Sequence, residues 1–327
     1  GGGSIGWVDR AGALRVGPDS AGATPGPACY GQGGQDATLT DAALTLGMLD
    51  ASVFAGGDLT LDESLAREAV RRNLGEPLSL EPEEAALGMI GVATANMAQA
   101  IRELSTERGD DVAEFSLLSF GGAGGLFAPF LLRELGLGAA LIPRHPGVFA
   151  ALGLHYADLR HHAQASFAAT LRQLDVEAMR QRLEMLQASL VDALSRDGVA
   201  ASGRQLQFSA DMRYVGQHHE LDVTMPAPSA LGADSEGRIA ADFHALHEMR
   251  YGYCHTDSPV EITNLHGVGV GLQDKPAAQR VEAGPAPMAH ASRRAPLGLE
   301  FAWVDTPLYH RDTLGAGACL VGPAMVI

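Results

Sequence analysis

At 327 residues the chain has room for about two domains at roughly 150 residues each. With 46% hydrophobic and 19% charged residues it has the material for a packed core, which excludes wholesale disorder. Acidic residues outnumber basic ones 39 to 23, a net charge of −16, and like-charge repulsion excludes nucleic acid and anionic membrane as partners. The single lysine, Lys275, stands between Asp274 and Pro276. A P-loop, which needs a lysine after its glycines, and a kinase-type strand lysine are excluded with it. Cys29, Cys254 and Cys319 form no Cys-x-x-Cys pair, which fits a reducing, cytoplasmic setting better than a disulfide framework or a zinc ribbon. No membrane span is expected: the apolar stretch from Ala85 to Ile101 carries Thr94, Asn96, Gln99 and two glycines and reads as a buried helix.

In chain order, Ser4 to Asp9 and Ala13 to Val16 read as two short strands around a turn at Arg10 to Gly12. Eleven of the 40 glycines fall within the first 34 residues, and GPDSAGATPGPACYGQGG reads as a long ordered loop of the functional kind. Thr60 and Glu63 form a capping-box pattern for a helix that Gly75 ends. A longer helix starts near Pro82 and stops at Gly109, with Ala86, Met89, Ile90, Ala93, Met97, Ala100, Ile101 and Leu104 on one face. Phe115 to Phe120 as strand, Gly121 to Gly125 as loop, a helix to Leu135 and Ala139 to Ile142 as strand make a βαβ unit. Gln164 to Thr170 reads as a strand. An amphipathic helix over 175–196 follows, with Met179, Leu183, Leu186, Leu190 and Leu194 as its stripe. Leu206 to Tyr214 and Leu221 to Met225 alternate as a hairpin, 237–250 is helical, and Val260 to Leu272 is a strand. Gln273 to Ala295, rich in Ala and Pro, reads as loop or linker, and Ala324 to Ile327 as an interrupted strand. The expected division is 1–170, a helical connection over 171–204, and a β-rich module over 205–327 that serves assembly.

The strongest local signal is SFGGAGGLFAPFL, Ser119 to Leu132. Glycines between a strand and a helix let a ligand approach the main chain beside unpaired N–H groups. The pattern is not that of a dinucleotide site, because Phe127 replaces the third glycine and no acidic residue follows at the ribose distance. Asp9, Asp19, Asp36 and Asp41 lie near the N-terminal glycine-rich loop; turns and caps explain the first three equally well, and Asp41 is the candidate catalytic carboxylate. Cys29 reads as a small buried cysteine and not a nucleophile. His161-His162 and His218-His219 are adjacent pairs. His244, His247 and Glu248 share a helix face, but no second ligand pair at a defined spacing joins them, and no metal site is assigned.

GGGSIGWVDRAGALRVGPDSAGATPGPACYGQGG with TDAALTLGML, then FGGAGGLFA with IPRHPGVFAALGL, resembles the hydantoinase A / 5-oxoprolinase family. ADMRYVGQHHELDV, RYGY, VEITNL and GPAMVI resemble that family's C-terminal region, so the likeness runs through nearly the whole chain in order. It implies an α/β fold: an actin/Hsp70-like, ribonuclease-H-like ATPase half with a C-terminal α+β module. It implies ATP and Mg²⁺ as cofactors, a cyclic amide such as a hydantoin or 5-oxoproline as substrate, and a hydantoinase B-type partner subunit or fused domain, with self-association left open. Gly121, Gly122, Ala123, Gly124 and Gly125 would meet the adenosine end, and Gly1, Gly2, Gly3 and Ser4 the phosphates or the activated carbonyl. The family's Asp-Met-Gly-Gly-Thr phosphate loop precedes the family segment that Gly1 begins, so the chain by itself is expected to be inactive. Ala43, Phe127 and Ala150 stand where the family often has polar side chains. That departure keeps two alternatives open: a non-catalytic scaffold of the same fold, and a ketone carboxylase subunit.

Overall fold

The computed structural model describes residues 2–52, 54–277, 280–298 and 302–327. They divide into two compact units, Gly1–Leu152 with Ala278–Ile327, and Gly153–Ala277.

In the first unit β1 (Ser4–Val8) and β2 (Leu14–Ser20) form an antiparallel hairpin. Asp9 shapes its turn by accepting the Ala11 and Ala13 amides and the Arg15 guanidinium, each at 2.9 Å. The chain then runs through a glycine-rich loop to α1 (Leu39–Thr45), which Thr38 caps. Helix α2 (Glu63–Val70) is capped by Asp62, not by Thr60, because the Asp62 carboxylate accepts both the Ser64 and Leu65 amides. Gly75 does not end it. The chain continues through a π-turn, Arg71–Gly75, into α3 (Glu76–Leu78), and stops at Ser79, whose φ of 55° is left-handed.

Helix α4 (Pro82–Arg108) opens with Glu83 and Glu84, matched to its dipole. Its buried face is small: Ala85, Ala86, Met89, Ile90, Ala93 and Ala98. Met97 and Ile101 are partly buried, whereas Leu104 is 61% exposed, because the last turns run beyond the core. The βαβ unit is present with shorter strands than expected: β3 (Leu117–Leu118), α5 (Gly124–Leu135) and β4 (Ala140–Leu141), with Leu117 beside Ala140 in parallel register. Helix α6 (Phe149–Tyr156) follows.

The second unit is a four-stranded antiparallel sheet with helices on it. Its elements are β5 (Leu159–Thr170), α7 (Val176–Arg196), β6 (Arg204–Tyr214), β7 (Leu221–Met225), α8 (Ser235–Tyr251) and β8 (Val260–Gly271), in strand order β5-β8-β6-β7. Helix α7 packs on β5 and β8 through Met179, Leu183, Leu186, Leu190 and Leu194, all buried. Gly267 and Gly269 lie under it: a Cβ at Gly267 would come within 2.8 Å of Leu190 Cδ1, and one at Gly269 within 3.2 Å of Leu190 Cβ. Beneath α7 the strand has no room for side chains.

The chain then returns to the first unit. β9 (Ala291–Ala295), inside the segment expected to be linker, pairs antiparallel with β10 (Val304–Tyr309), and β11 (Met325–Val326) pairs parallel with β10. Arg293 donates to the Leu49 carbonyl and, at 3.0 Å, to Asp50 at the exit of α1. The expected boundaries at 170 and 204 therefore fall inside one unit. β5 is the sheet partner of β8 across ten register pairs, and α7 is part of that core and not a connection.

Candidate functional site

Asp41 lies in the first turn of α1 and is fully buried. Its carboxylate accepts the Thr38 amide (3.0 Å) and hydroxyl (2.7 Å), and also the amides of Ala28 (3.2 Å) and Cys29 (2.8 Å) from 13 and 12 residues away. Three of these donors meet Oδ2 and one meets Oδ1, so the charge is neutralised by four hydrogen bonds in a site closed to solvent. Asp41, the predicted catalytic carboxylate, is not among the residues that line the cleft of this unit; it pins the PGPACYG loop to the start of α1, with two helical N-termini facing its charge. Cys29 is buried beside it. Burial first, and then the Asp41 charge, push its thiol far above the ordinary range, so it is held as an unreactive thiol.

A cleft of about 570 Å³ brings together two of the predicted segments. Ser4 at the start of β1 lines it, and so do Gly121, Gly122, Ala123 and Gly124. Apolar side chains make most of the wall, among them Val16, Leu39, Met97, Leu117, Phe127 and Leu131. Gly2 and Gly3 stand behind Ser4: their carbonyls accept the Thr40 and Ala21 amides, which holds β1 against α1 and the loop. Gly1 lies outside the described residues. Gly125 is not among the lining residues; the nearest atom to a Cβ there would be Ile142 Cδ1 at 3.9 Å.

The turn into α5 explains the glycines. Gly121 has φ of 90°, and its N–H donates to the Pro146 carbonyl at 2.7 Å. Helix α5 begins without a side-chain cap; Gly124 and Leu126 donate back to Gly121 and Ala123. The amides of Gly122, Ala123 and Gly125 have no acceptor among the described residues. A Cβ at Gly124 would lie 2.9 Å from Ser119 Oγ, whereas one at Gly122 would meet nothing within 4 Å. Gly124 is a close-packing glycine and Gly122 is an open one.

The chemistry of the lining is uncharged throughout: no Asp, Glu, Arg, Lys or His belongs to it. It suits a flat neutral ring or a nucleoside, with three free amides nearby. It supplies neither the carboxylates that Mg²⁺ takes nor a cation for a polyphosphate, and no step through Mg²⁺ is derived from this chain. Asp9 is occupied by its turn, its carboxyl held below the usual range by the Ala13 amide first and then by Arg15, and Asp19 and Asp36 are exposed. Of the three departures, Phe127 lines the cleft, Ala43 is buried in α1 and Ala150 is exposed on α6.

The histidines do not converge on a metal; among the described residues no group of three or more such ligands forms. His161 pairs with Asp197 at 2.5 Å, while His218 and His219 are exposed. His247 is buried and meets the Tyr253 carbonyl through Nδ1 at 2.8 Å. The Tyr214 hydroxyl accepts the His255 amide and shares a second hydrogen bond with Nδ1 of His244, each at 2.8 Å. Burial first, then His247, holds the His244 imidazole below its ordinary value.

Among the polar residues of the lining, Asn96 lies outside every predicted site segment. Asn96 reads in the sequence only as a polar interruption of an apolar helix. Its signal is positional: it shares with Ala93 and Met97 the i, i+3, i+4 face of α4 that borders the cleft.

The family pattern described as Hydantoinase/oxoprolinase matches residues 1–163, and the one described as Hydantoinase/oxoprolinase C-terminal domain matches residues 166–327. The chain is 35% identical to the caprolactamase subunit alpha of Pseudomonas jessenii, over all of this chain and 48% of that protein. It is 30% identical to 5-oxoprolinase 1 of Arabidopsis thaliana, over 97% of this chain and 26% of that protein. The nucleotide-free structure of acetone carboxylase, from work on ATP-dependent acetone carboxylation, superposes with a TM-score of 0.84 at 25% identity, covering all of this chain and 48% of that one. The chain thus spans half or less of the length of these relatives.

Proposed function

Since the chain belongs to the hydantoinase/oxoprolinase family, we propose that it is part of a subunit that uses ATP to open a cyclic amide, and that its cleft receives the adenosine end of the nucleotide in an actin-like half. The observation that carries this is the meeting of Ser4 with Gly121, Gly122, Ala123 and Gly124 around one uncharged, mostly apolar cleft. ATP, when bound, supplies the phosphoryl group that makes an amide oxygen a leaving group and its carbon open to water. This chain's own contribution is positional. Apolar walls strip water from the base, and the rigid turn at Gly121 fixes the nucleoside so that the reacting end is presented elsewhere in the whole protein. The lining has no cation and no carboxylate, so the chain alone is inactive toward ATP. A hydantoinase B-type partner subunit completes the enzyme, a reading supported by the caprolactamase relative being an alpha subunit.

A carboxylase subunit is the second reading, favoured by the acetone carboxylase superposition over the whole chain; both readings share the cleft. The test is Gly122→Val in the full-length protein, where a Cβ has no heavy atom from beyond its chain neighbours within 4 Å and the residue lines the cleft wall. ADP affinity measured by calorimetry is expected to fall at least about tenfold with the melting temperature unchanged. Wild-type affinity in this variant would reduce the loop to a packing turn.

A further inference from the structure

We propose that Asn96 selects the base, pairing its carboxamide with the edge of adenine so that the cleft accepts adenine nucleotides over those with a 6-oxo purine. This rests on the cleft being the adenosine site. Val16, Leu39, Met97, Phe127 and the other apolar walls gain as much from one purine as from another, so they give affinity without discrimination. Discrimination falls to the polar side chains of the lining, which are Ser4, Ser119 and Asn96. Ser119 is 8% exposed and its hydroxyl is tucked beneath Gly124. Ser4 already has an interaction partner. Asn96 is exposed at the cleft, and its carboxamide has no hydrogen-bond partner among the described residues. Its backbone is fixed all the same, because Ala93 and Ala98 on either side of it are packed in the core.

A carboxamide holds one donor and one acceptor in a single plane. On its N7 edge adenine offers the matching pair, the N6 amino donor beside the N7 acceptor, and asparagine satisfies both at once. On the same edge a 6-oxo purine offers two acceptors, O6 and N7, so turning the carboxamide over cannot restore both bonds, and one is lost with an oxygen facing an acceptor. Serine, with a single freely turning hydroxyl, adapts to either and sorts neither.

The experiment is calorimetric titration of the full-length protein with ADP and with inosine diphosphate, which differ only in the 6-substituent and the proton it places on N1. Wild type, Asn96→Ala, Asn96→Asp and Gly122→Val are compared. Wild type is expected to prefer ADP on the order of tenfold. Asn96→Ala should lose most of that preference by weakening ADP binding alone. Asn96→Asp, which keeps the shape but has no donor, should change the preference too. Melting temperatures of both variants should match wild type, since the side chain is exposed. If Gly122→Val weakens ADP binding while Asn96→Ala keeps the preference, the cleft is the nucleotide site and Asn96 is not its reader. If neither change touches ADP binding, the cleft assignment falls and the base selection with it.

Discussion

The unit of residues 153–277 fills its interior with large side chains brought into register by regular elements: Met179, Leu183 and Leu190 on α7 face Phe208, Met212 and Ile262 on the sheet. The core cluster of the unit that holds the cleft sets seven alanines, Ala37, Ala42, Ala43, Ala85, Ala86, Ala93 and Ala98, among its larger side chains, and the shape of its loops is set by hydrogen bonds. The first arrangement is held by burial spread over many residues, each replaceable at moderate cost. The second concentrates its specification in a few polar groups whose partners lie far along the chain. A ligand-binding region gains from that trade: small residues let main chain come close to a ligand, and a buried carboxylate with four donors fixes a loop that has no regular structure to hold it.

The sharpest way to break this contrast is Asp41→Ala. Removing the carboxylate strands four buried donors, those of Ala28, Cys29 and both groups of Thr38, and should cost on the order of 4 kcal/mol by equilibrium denaturation. A loss below about 1 kcal/mol would mean that the loop holds without its staple. In the other unit the corresponding change is Gly267→Ala, which pushes a methyl group against Leu190 and should cost about 2 kcal/mol. Combining it with Leu190→Ala should recover part of that loss, because the new methyl then meets the space the leucine vacates. Strict additivity in this cycle would show that α7 is not seated directly on the strand. The smallest effect is the pH response of His244. Its folded-state pKa lies below the ordinary 6.5, so below that pH the unfolded chain takes up a proton more readily. Stability is therefore full above 6.5 and falls as pH drops toward the lowered folded value. Melting curves between pH 7.5 and 5 read this, and His244→Gln should flatten the decline; an unchanged slope would assign it to other groups.

The same contrast explains what was legible beforehand. The α7 stripe and the alternation of Leu206, Phe208, Ala210, Met212 and Tyr214 follow from burying one face of a periodic element, and both are placed as the spacing predicts. The glycine turn into α5 was readable too, since a strand, a run of glycines and a helix leave few other geometries. Asp41 was not. Its local capping pattern is real, but the decisive donors come from the 3₁₀ turn at Ala28–Tyr30, a contact that no local spacing encodes. Asp62 overrides the Thr60 pattern because two caps compete within three residues and the one that reaches two amides wins. Strand β9 is hidden in a Pro- and Ala-rich segment because its pairing with β10 is supplied by the fold and not by its own alternation. Asn96 is visible only once α4 has a cleft on one side.

The return of the chain from residue 277 also sets an order of assembly. Arg293 secures the exit of α1 at Leu49 and Asp50, so that corner is completed only after the ribosome has made everything between. Closing so long a loop from a disordered chain is slow. The intervening unit shortens it. Its first and last strands lie side by side, Leu159 against Gly271, and Asp158 pairs with Lys275 just outside them. Once folded, 153–277 brings its two ends together and acts on the rest of the chain as a short bridge. The lone lysine of the sequence thus works as a clasp at the neck of an insertion, and the tail reaches α1 as though the insertion were a few residues long.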